Sequence, residues 1–297
     1  MQEYRDRRLQ WRLRIHSILV IGGSTVGTIV AFTWFPPERF DLLLLAVFFT
    51  LSGIGISVGY HRLLAHRAFE ALPVLRIALL AMGATAGQGP PSYWAILHRA
   101  HHRSSDRDAD PHSPFAGYRG RALRGFVHAH VGWIHEVGMP KGANECRDLY
   151  SDRTVRWIAR LYTPIFAASV LLPAGLGYWV GGSFHSAVTA VLWGGAVRLV
   201  LVHHIVWSIN SICHQFGKQP YNTADQSRNV WWLSLVSFGE AWHNNHHAAA
   251  GSARFGIEWW QIDLGYLFIR CLEIAGLANR VRVTPAQALL SRRALAH

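Results

Sequence analysis

Four apolar runs, each long enough to cross a lipid bilayer, constrain this chain more than any other feature. They lie at about residues 17–35, 42–60, 161–180 and 187–206. At ~1.5 Å of helical rise per residue, such runs match a hydrocarbon core of ~30 Å. Pro36 and Pro37 end the first run, and PPERFD alone separates it from the second, so the pair forms a tight hairpin. The third and fourth are joined by GGSFHS. The basic start, with Arg5, Arg7, Arg8, Arg12 and Arg14, could open a signal peptide. The apolar run after it is too long and lacks an A-x-A cleavage site. Leu72 to Gly87 is also apolar, but it contains Pro73 and Arg76 and ends at Gly89-Pro90-Pro91. It is expected to lie at the interface rather than to span.

Composition agrees with a chain partly solvated by lipid. Only 15% of residues are charged and 51% are apolar, against about 25% charged in a soluble domain. The charge is lopsided, 29 Lys plus Arg against 17 Asp plus Glu. Arginines cluster beside the spans: at the N-terminus, at Arg62 and Arg67, and at Arg153, Arg156 and Arg160, whereas the hairpin loops carry only Arg39. By the positive-inside rule both termini are cytoplasmic, and anionic lipid rather than nucleic acid is the expected partner of this charge. The expected fold is all-α: one integral-membrane domain over 1–297, with four transmembrane helices and a helical cytoplasmic cap from about 61–160 and 210–297. Gly53-Ile-Gly55-Ile-Ser-Val-Gly59 has the wrong spacing for a phosphate loop and sits inside a span. Close helix packing is expected there, and the small side chains also leave room for a ligand.

Histidine is the compositional outlier, with 18 copies. Eight fall in three clusters: His61 and His66 in HRLLAH, His98, His101 and His102 in HRAHH, and His243, His246 and His247 in HNNHH. On a helix, HxxHH places its imidazoles along one stripe, yet adjacent histidines still point ~100° apart and so can serve different metals. His61 and His66 do not share a face on a straight α-helix, so a break after the second span is expected. The sequence offers few acids to neutralise so many imidazoles. Metal ligation removes their mutual repulsion, because it requires the neutral ring. Eight nitrogen donors exceed the four of a tetrahedral zinc site, so two metals are implied, and imidazole alone does not name the element. A carboxylate-bridged pair of irons needs two ExxH motifs, and only Glu240-Ala-Trp-His243 fits. His16, His185 and His297 have nothing convergent around them and are expected to be structural. Cys146, Cys213 and Cys271 are scattered, so they form neither a disulfide framework nor an iron–sulfur site.

HRLLAH, HRAHH and HNNHH resemble, in order and separation, the three histidine boxes of the membrane-bound fatty acyl desaturases of the stearoyl-CoA (Δ9) type. The resemblance extends through Asp108-Ala-Asp110-Pro111-His112, His130-Val-Gly132-Trp133, the segment Trp207 to His214, and Gly239-Glu240, over about residues 40–280. It implies a di-iron centre held by His61, His66, His98, His101, His102, His214, His243, His246 and His247, with Asn210 binding through a water. It further implies that Trp94 and Trp207 line a bent acyl tunnel, that Gln88 lies near the thioester, and that Phe49 and Gly53 limit chain length. Family members that use acyl-CoA carry an Arg-Asp pair where this chain has Ile96 and Leu97, and a basic pair where it has Val137 and Gly138. The acyl carrier is therefore open among CoA, acyl carrier protein and a membrane lipid.

The function expected from this resemblance is O₂-dependent insertion of a cis double bond into a saturated acyl chain, using two Fe ions. The sequence carries no dinucleotide fingerprint or cysteine cluster, so electrons are expected from a separate donor such as a ferredoxin or flavin reductase. An Arg-rich, Lys-poor chain suggests a bacterial inner membrane. The alternatives are a di-iron hydroxylase of alkane, sterol or lipid, and, more distantly, a non-enzymatic metal or haem carrier.

Overall fold

A computed structural model of the chain describes residues 14–118, 121–136 and 146–293. Val137 and Gly138, the basic N-terminal arginines up to Arg12, and His297 lie outside the described residues. The structure is overwhelmingly helical. Four helices are long and apolar enough to cross a membrane: α1 (Arg14–Trp34), α2 (Arg39–Ala65), α5 (Tyr162–Gly181) and α6 (Phe184–Gln215). Between them α3 (Pro73–Ala84) and α4 (Pro91–Ser104) each begin on a proline, whose fixed φ suits a first helical turn. α3 is too short to span, and its Arg76 reaches Asp152 at 2.6 Å. The C-terminal part adds α7 (His243–Ala248) and α8 (Leu264–Ile274). One two-residue ribbon, Glu70–Ala71 against Ala278–Asn279 with Glu70 opposite Asn279, ties the end of the chain to the segment after α2.

Two helices run past the ends expected for them. α2 continues to Ala65 and α6 to Gln215, so His61 and His214 lie within continuous helices rather than beyond the spans. The expected break between His61 and His66 is absent. Instead Gly55–Ala65 is π-helical, and the His66 amide donates to the His61 carbonyl at 3.0 Å. The wider turn brings residues five apart onto one face, with the His61 and His66 rings 4.8 Å apart.

Glycines set how closely α3 approaches this helix. A Cβ on Gly59 would lie 2.9 Å from the Leu79 carbonyl carbon, and one on Gly55 would meet the Met82–Gly83 backbone closer still. These two glycines are therefore packing residues and leave no space beside the helix, as small residues do where helices cross tightly. Gly55→Ala and Gly59→Ala should each cost ~1–3 kcal/mol of overpacking, read as a lower thermal midpoint in lipid nanodiscs. An unchanged midpoint in both would show that α3 is not seated as described.

α6 carries a residue whose role the sequence did not disclose. Arg198 is fully buried within the span. It donates to the Gly194 carbonyl at 3.2 Å, to Ser52 Oγ at 3.1 Å, to the Ser169 carbonyl at 3.2 Å, and to the Thr85 carbonyl. A guanidinium at this depth is tolerated because its donors are taken by carbonyls and hydroxyls, and it thereby ties α2, α5 and α6 together.

Candidate metal centre

The C-terminal parts of α2, α4 and α6 meet α7, and nine histidines converge there. They form two groups whose ligand-capable atoms lie within 4.8 Å of one another: His61, His66, His98, His102 and His246, and His101, His214, His243 and His247. The two short motifs are split between the groups, because one residue of helix turns a side chain by ~100°. His102 thus joins the first group and His101 the second, as do His246 and His247 respectively. The groups abut, with the His102 and His247 rings stacked 4.4 Å apart.

The donor set fits metal ions better than hydrogen bonding. In the first group, Nε2 atoms lie 3.0 Å apart for His61 and His246, 2.7 Å for His66 and His98, and 2.9 Å for His246 and His102. In the second, the spacing is 3.0 Å for His214 and His243 and 3.4 Å for His101 and His247. Four rings direct Nδ1 at a carboxylate: His61 at Glu240, His101 at Asp110 (3.0 Å), His214 at Asp106 (2.9 Å) and His247 at Asp225 (2.7 Å). A ring that donates from Nδ1 presents a lone pair at Nε2. Facing lone pairs cannot bond to each other, but two donors ~2 Å from one shared cation would sit ~3 Å apart. Outer carboxylates of this kind fix tautomer and ring orientation at metal sites.

These carboxylates correct the expectation of few acids. Glu240, the only acid of an ExxH motif, turns to His61 and is not placed as a bridge. Asp106 and Asp225 carry no sequence signal of their own, since their histidine partners lie 108 and 22 residues away. Although burial raises a carboxyl's pKa, the facing imidazoles and hydrogen bonds hold Asp106, Asp110, Asp225 and Glu240 below the usual range. Burial and like-charge neighbours push His66, His98, His102, His243 and His246 well below the ordinary imidazole value. His247, buried but facing Asp225, sits at about 4. Burial lowers His101 as well, but there Asp110 outweighs it and the net shift is upward. Most of the cluster is thus neutral at physiological pH, the state that ligation requires.

Further partners position the box residues. Asn245 donates to the Phe255 carbonyl and to Gln261 Oε1, both at 2.8 Å, and Asn244 accepts from the Tyr221 amide at 2.8 Å. The two central asparagines of HNNHH therefore lock α7 in place. Arg62, expected beside the lipid headgroups, is fully buried between Glu240 and Asp263.

Two cavities meet at the histidines. One is lined by His16, Ser17, Gln88, Tyr93, Leu97 and Trp133, among others; the other by Phe49, Gly53, Ile56, Val202, Ile205 and Phe238, among others. Trp94, His98, Val206 and Asn210 line both, Trp207 lines the first, and His61 and His243 line the second. Of the five residues expected around an acyl chain, Gln88, Trp94 and Trp207 line the first cavity and Phe49, Gly53 and Trp94 the second. Gln88 accepts from Trp94 Nε1 at 3.2 Å. Ile96 is packed in the core, and Leu97 faces the first cavity. His16 pairs with the Tyr162 hydroxyl at 3.0 Å, as a structural histidine does, and it also lines that cavity.

This combination of four helices long and apolar enough to span a membrane and a polyhistidine cluster beside two adjoining cavities defines a membrane metalloenzyme class. The fatty acid desaturase family model matches residues 39–268. The chain is 39% identical to delta-9 acyl-lipid desaturase 1 of Arabidopsis thaliana, over 89% of this chain and 80% of that protein. It is 36% identical to the sn-1 stearoyl-lipid 9-desaturase of Anabaena variabilis, over 88% and 91%. It is 41% identical to a hex-5-enoyl-acyl-carrier-protein acetylenase of Moorena producens, over 94% and 89%. The chain belongs to the fatty acid desaturase family and is an oxidoreductase.

Proposed function

We propose that this protein inserts a cis double bond, at the Δ9 position, into a saturated acyl chain carried by a membrane lipid or acyl carrier protein. The observation that carries this reading is that histidines of both groups, His61, His98 and His243, line the two adjoining cavities, which share Trp94, His98, Val206 and Asn210. The nine histidines are assigned as ligands of two iron ions, with Asn210, on the same wall as His98 and His243, assigned to bind through a water. Bound there, the irons would supply activation of O₂ and removal of two hydrogens, with two electrons from a separate ferredoxin or flavin-type donor.

The protein's own contribution is placement. Trp94, Val206 and Trp207, on the cavity wall, are assigned to hold the acyl chain bent where the two cavities adjoin, so that one pair of methylenes faces the histidines and the chain is already folded toward a cis product. Gln88, polarised by the Trp94 indole, is assigned to the ester or thioester carbonyl. Glu240, Asp110, Asp106 and Asp225 keep the ligating rings in one tautomer throughout. The arginines flanking the spans orient both termini and the site toward the cytoplasm.

Expression in a desaturase-deficient host followed by fatty-acid profiling tests the reading. A new cis monoene with no hydroxylated product supports it; a saturated profile in cells with a working electron donor overturns it. A second reading rests on the 41% identical acetylenase, which acts on a chain already unsaturated. An alkyne formed from supplied enoic acid, with no monoene formed from the saturated acid, would favour it.

The carrier is a separate question. Among the described residues, no lysine or arginine lines the first cavity, and a CoA diphosphate needs such partners. Free CoA should therefore change the rate of the purified, reconstituted enzyme by less than about twofold. Strong inhibition at micromolar CoA would show a nucleotide site elsewhere on the cap, since a micromolar constant means ~8 kcal/mol of binding.

A further inference from the structure

The second cavity is lined by Phe238, a residue with an unusual backbone. Its φ is +56°, in the left-handed region, and Gly239 follows at +90°. Bulky residues rarely adopt that conformation, and where they do the surroundings enforce it for a reason worth seeking. Here the enforcement is visible. The Phe238 carbonyl accepts from the Gly265 amide at 3.0 Å and from Ser57 Oγ at 3.4 Å, which fastens the segment to α8 and to α2.

The strained backbone delivers the ring to a particular place. The Phe238 side chain occupies the space a side chain at position 53 would need: a Cβ on Gly53 would lie 2.7 Å from Cδ2 and 2.8 Å from Cζ of the ring. The Phe49 ring closes the other side, 5.9 Å from it centroid to centroid. Phe49, Gly53 and Phe238 all line the same cavity as His61 and His243. Gly53 is therefore not empty room in itself; it is the notch that receives Phe238.

We propose that Phe238 is the stop that sets the length of acyl chain beyond the reacting carbons. The inference rests on the desaturase reading and adds a residue that reading does not assign. Its physical basis is a short rigid link. Glu240, two residues after Phe238, holds the His61 ring and is itself held by Arg62 at 2.7 Å and Ser57 at 2.6 Å. The stop and the histidine cluster are thus fastened to one loop, so the span between them does not drift with motions of the helices.

The test uses the full-length protein and a graded series, Phe238→Trp, Phe238→Leu and Phe238→Gly. Glycine favours positive φ, so Phe238→Gly removes the ring without opposing the backbone. Wild type and variants are given a ladder of even-numbered saturated chains. Phe238→Gly should raise the ratio of longer to shorter unsaturated products by about tenfold, the scale on which a closed apolar pocket discriminates a methylene or two. Phe238→Leu should shift it less and Phe238→Trp in the opposite direction, with the double bond unmoved relative to the carboxyl end. Displacement of a fluorescent acyl probe from the purified proteins gives the same series without turnover. Ordered shifts in binding support the stop even if no monoene forms, an outcome that would sink the desaturase reading alone. A length profile that does not follow residue size, in products or in binding, overturns the proposal.

Discussion

Replacing His98 or His246 by alanine is expected to abolish turnover and to remove one metal, not two. Each belongs to the five-histidine group, while the four histidines of the second group keep their own Nδ1 carboxylates or mutual contacts. Metal analysis should fall from about two ions per chain to about one, the number the donor count leaves. His214→Ala and His243→Ala should do the same from the other side. The loss of activity should exceed the 10–100-fold typical of outer-sphere partners, since a ligand itself is gone. Asp225→Asn and Asp106→Asn should fall within that smaller range. His185, whose ring stacks on Phe35 at 5.5 Å, serves as the control, because nothing of the cluster touches it. His16 does not serve, given its place on the cavity wall. Retained activity in three or more of the nine alanine variants would remove the ligand assignment. Loss of both ions from every variant would show one coupled site rather than two adjoining ones.

How far the site was legible depends on where its information lies. Clusters such as HRAHH and HNNHH announce themselves because their donors are close in sequence, and helical periodicity then divides them between two groups. His214 is isolated in sequence and came only through resemblance. The carboxylates Asp106 and Asp225 were invisible, since their partners are 108 and 22 residues away and no spacing rule links them. Spans were legible from hydropathy, but their ends were not. α2 and α6 carry the polar histidines of the cluster, His61 and His214, in helical turns beyond the apolar run, and hydropathy stops counting where the apolar residues stop. The π-helical stretch Gly55–Ala65 is the clearest case. Nothing in local propensity selects it over an α-helix; it is the helix that lets His61 and His66 face one point. Arg62 misled for a related reason. A flanking arginine after a span ordinarily reaches lipid headgroups, yet here the cap closes over it, and its partners Glu240 and Asp263 come from far along the chain.

That buried arginine carries the second large expected effect. Arg62 is 0% exposed. It donates to Glu240 Oε1 at 2.7 Å, to Asp263 Oδ1 at 2.9 Å and to the Ala253 carbonyl at 3.0 Å, with its guanidinium 3.8 Å above the Phe255 ring. Arg62→Ala leaves two carboxylates buried without their cation, a change that typically costs ~3–5 kcal/mol. Glu240 is also the partner of His61, and Asp263 accepts from the Phe255 amide at 2.7 Å beside α7. The same substitution should therefore loosen the five-histidine group and lower its metal occupancy. Arg62→Lys should recover only part of the loss, because one ammonium cannot reach both carboxylates in the forked geometry and cannot stack flat on Phe255. Arg62→Met combined with Glu240→Gln and Asp263→Asn should be less destabilising than Arg62→Ala alone, since it removes the stranded charges together with their partner. Thermal midpoints in nanodiscs and metal content at fixed protein concentration measure both effects. If Arg62→Ala melts with the wild type and keeps its metal, the arginine is a passenger in the cap, and His61 must be oriented by Glu240 alone.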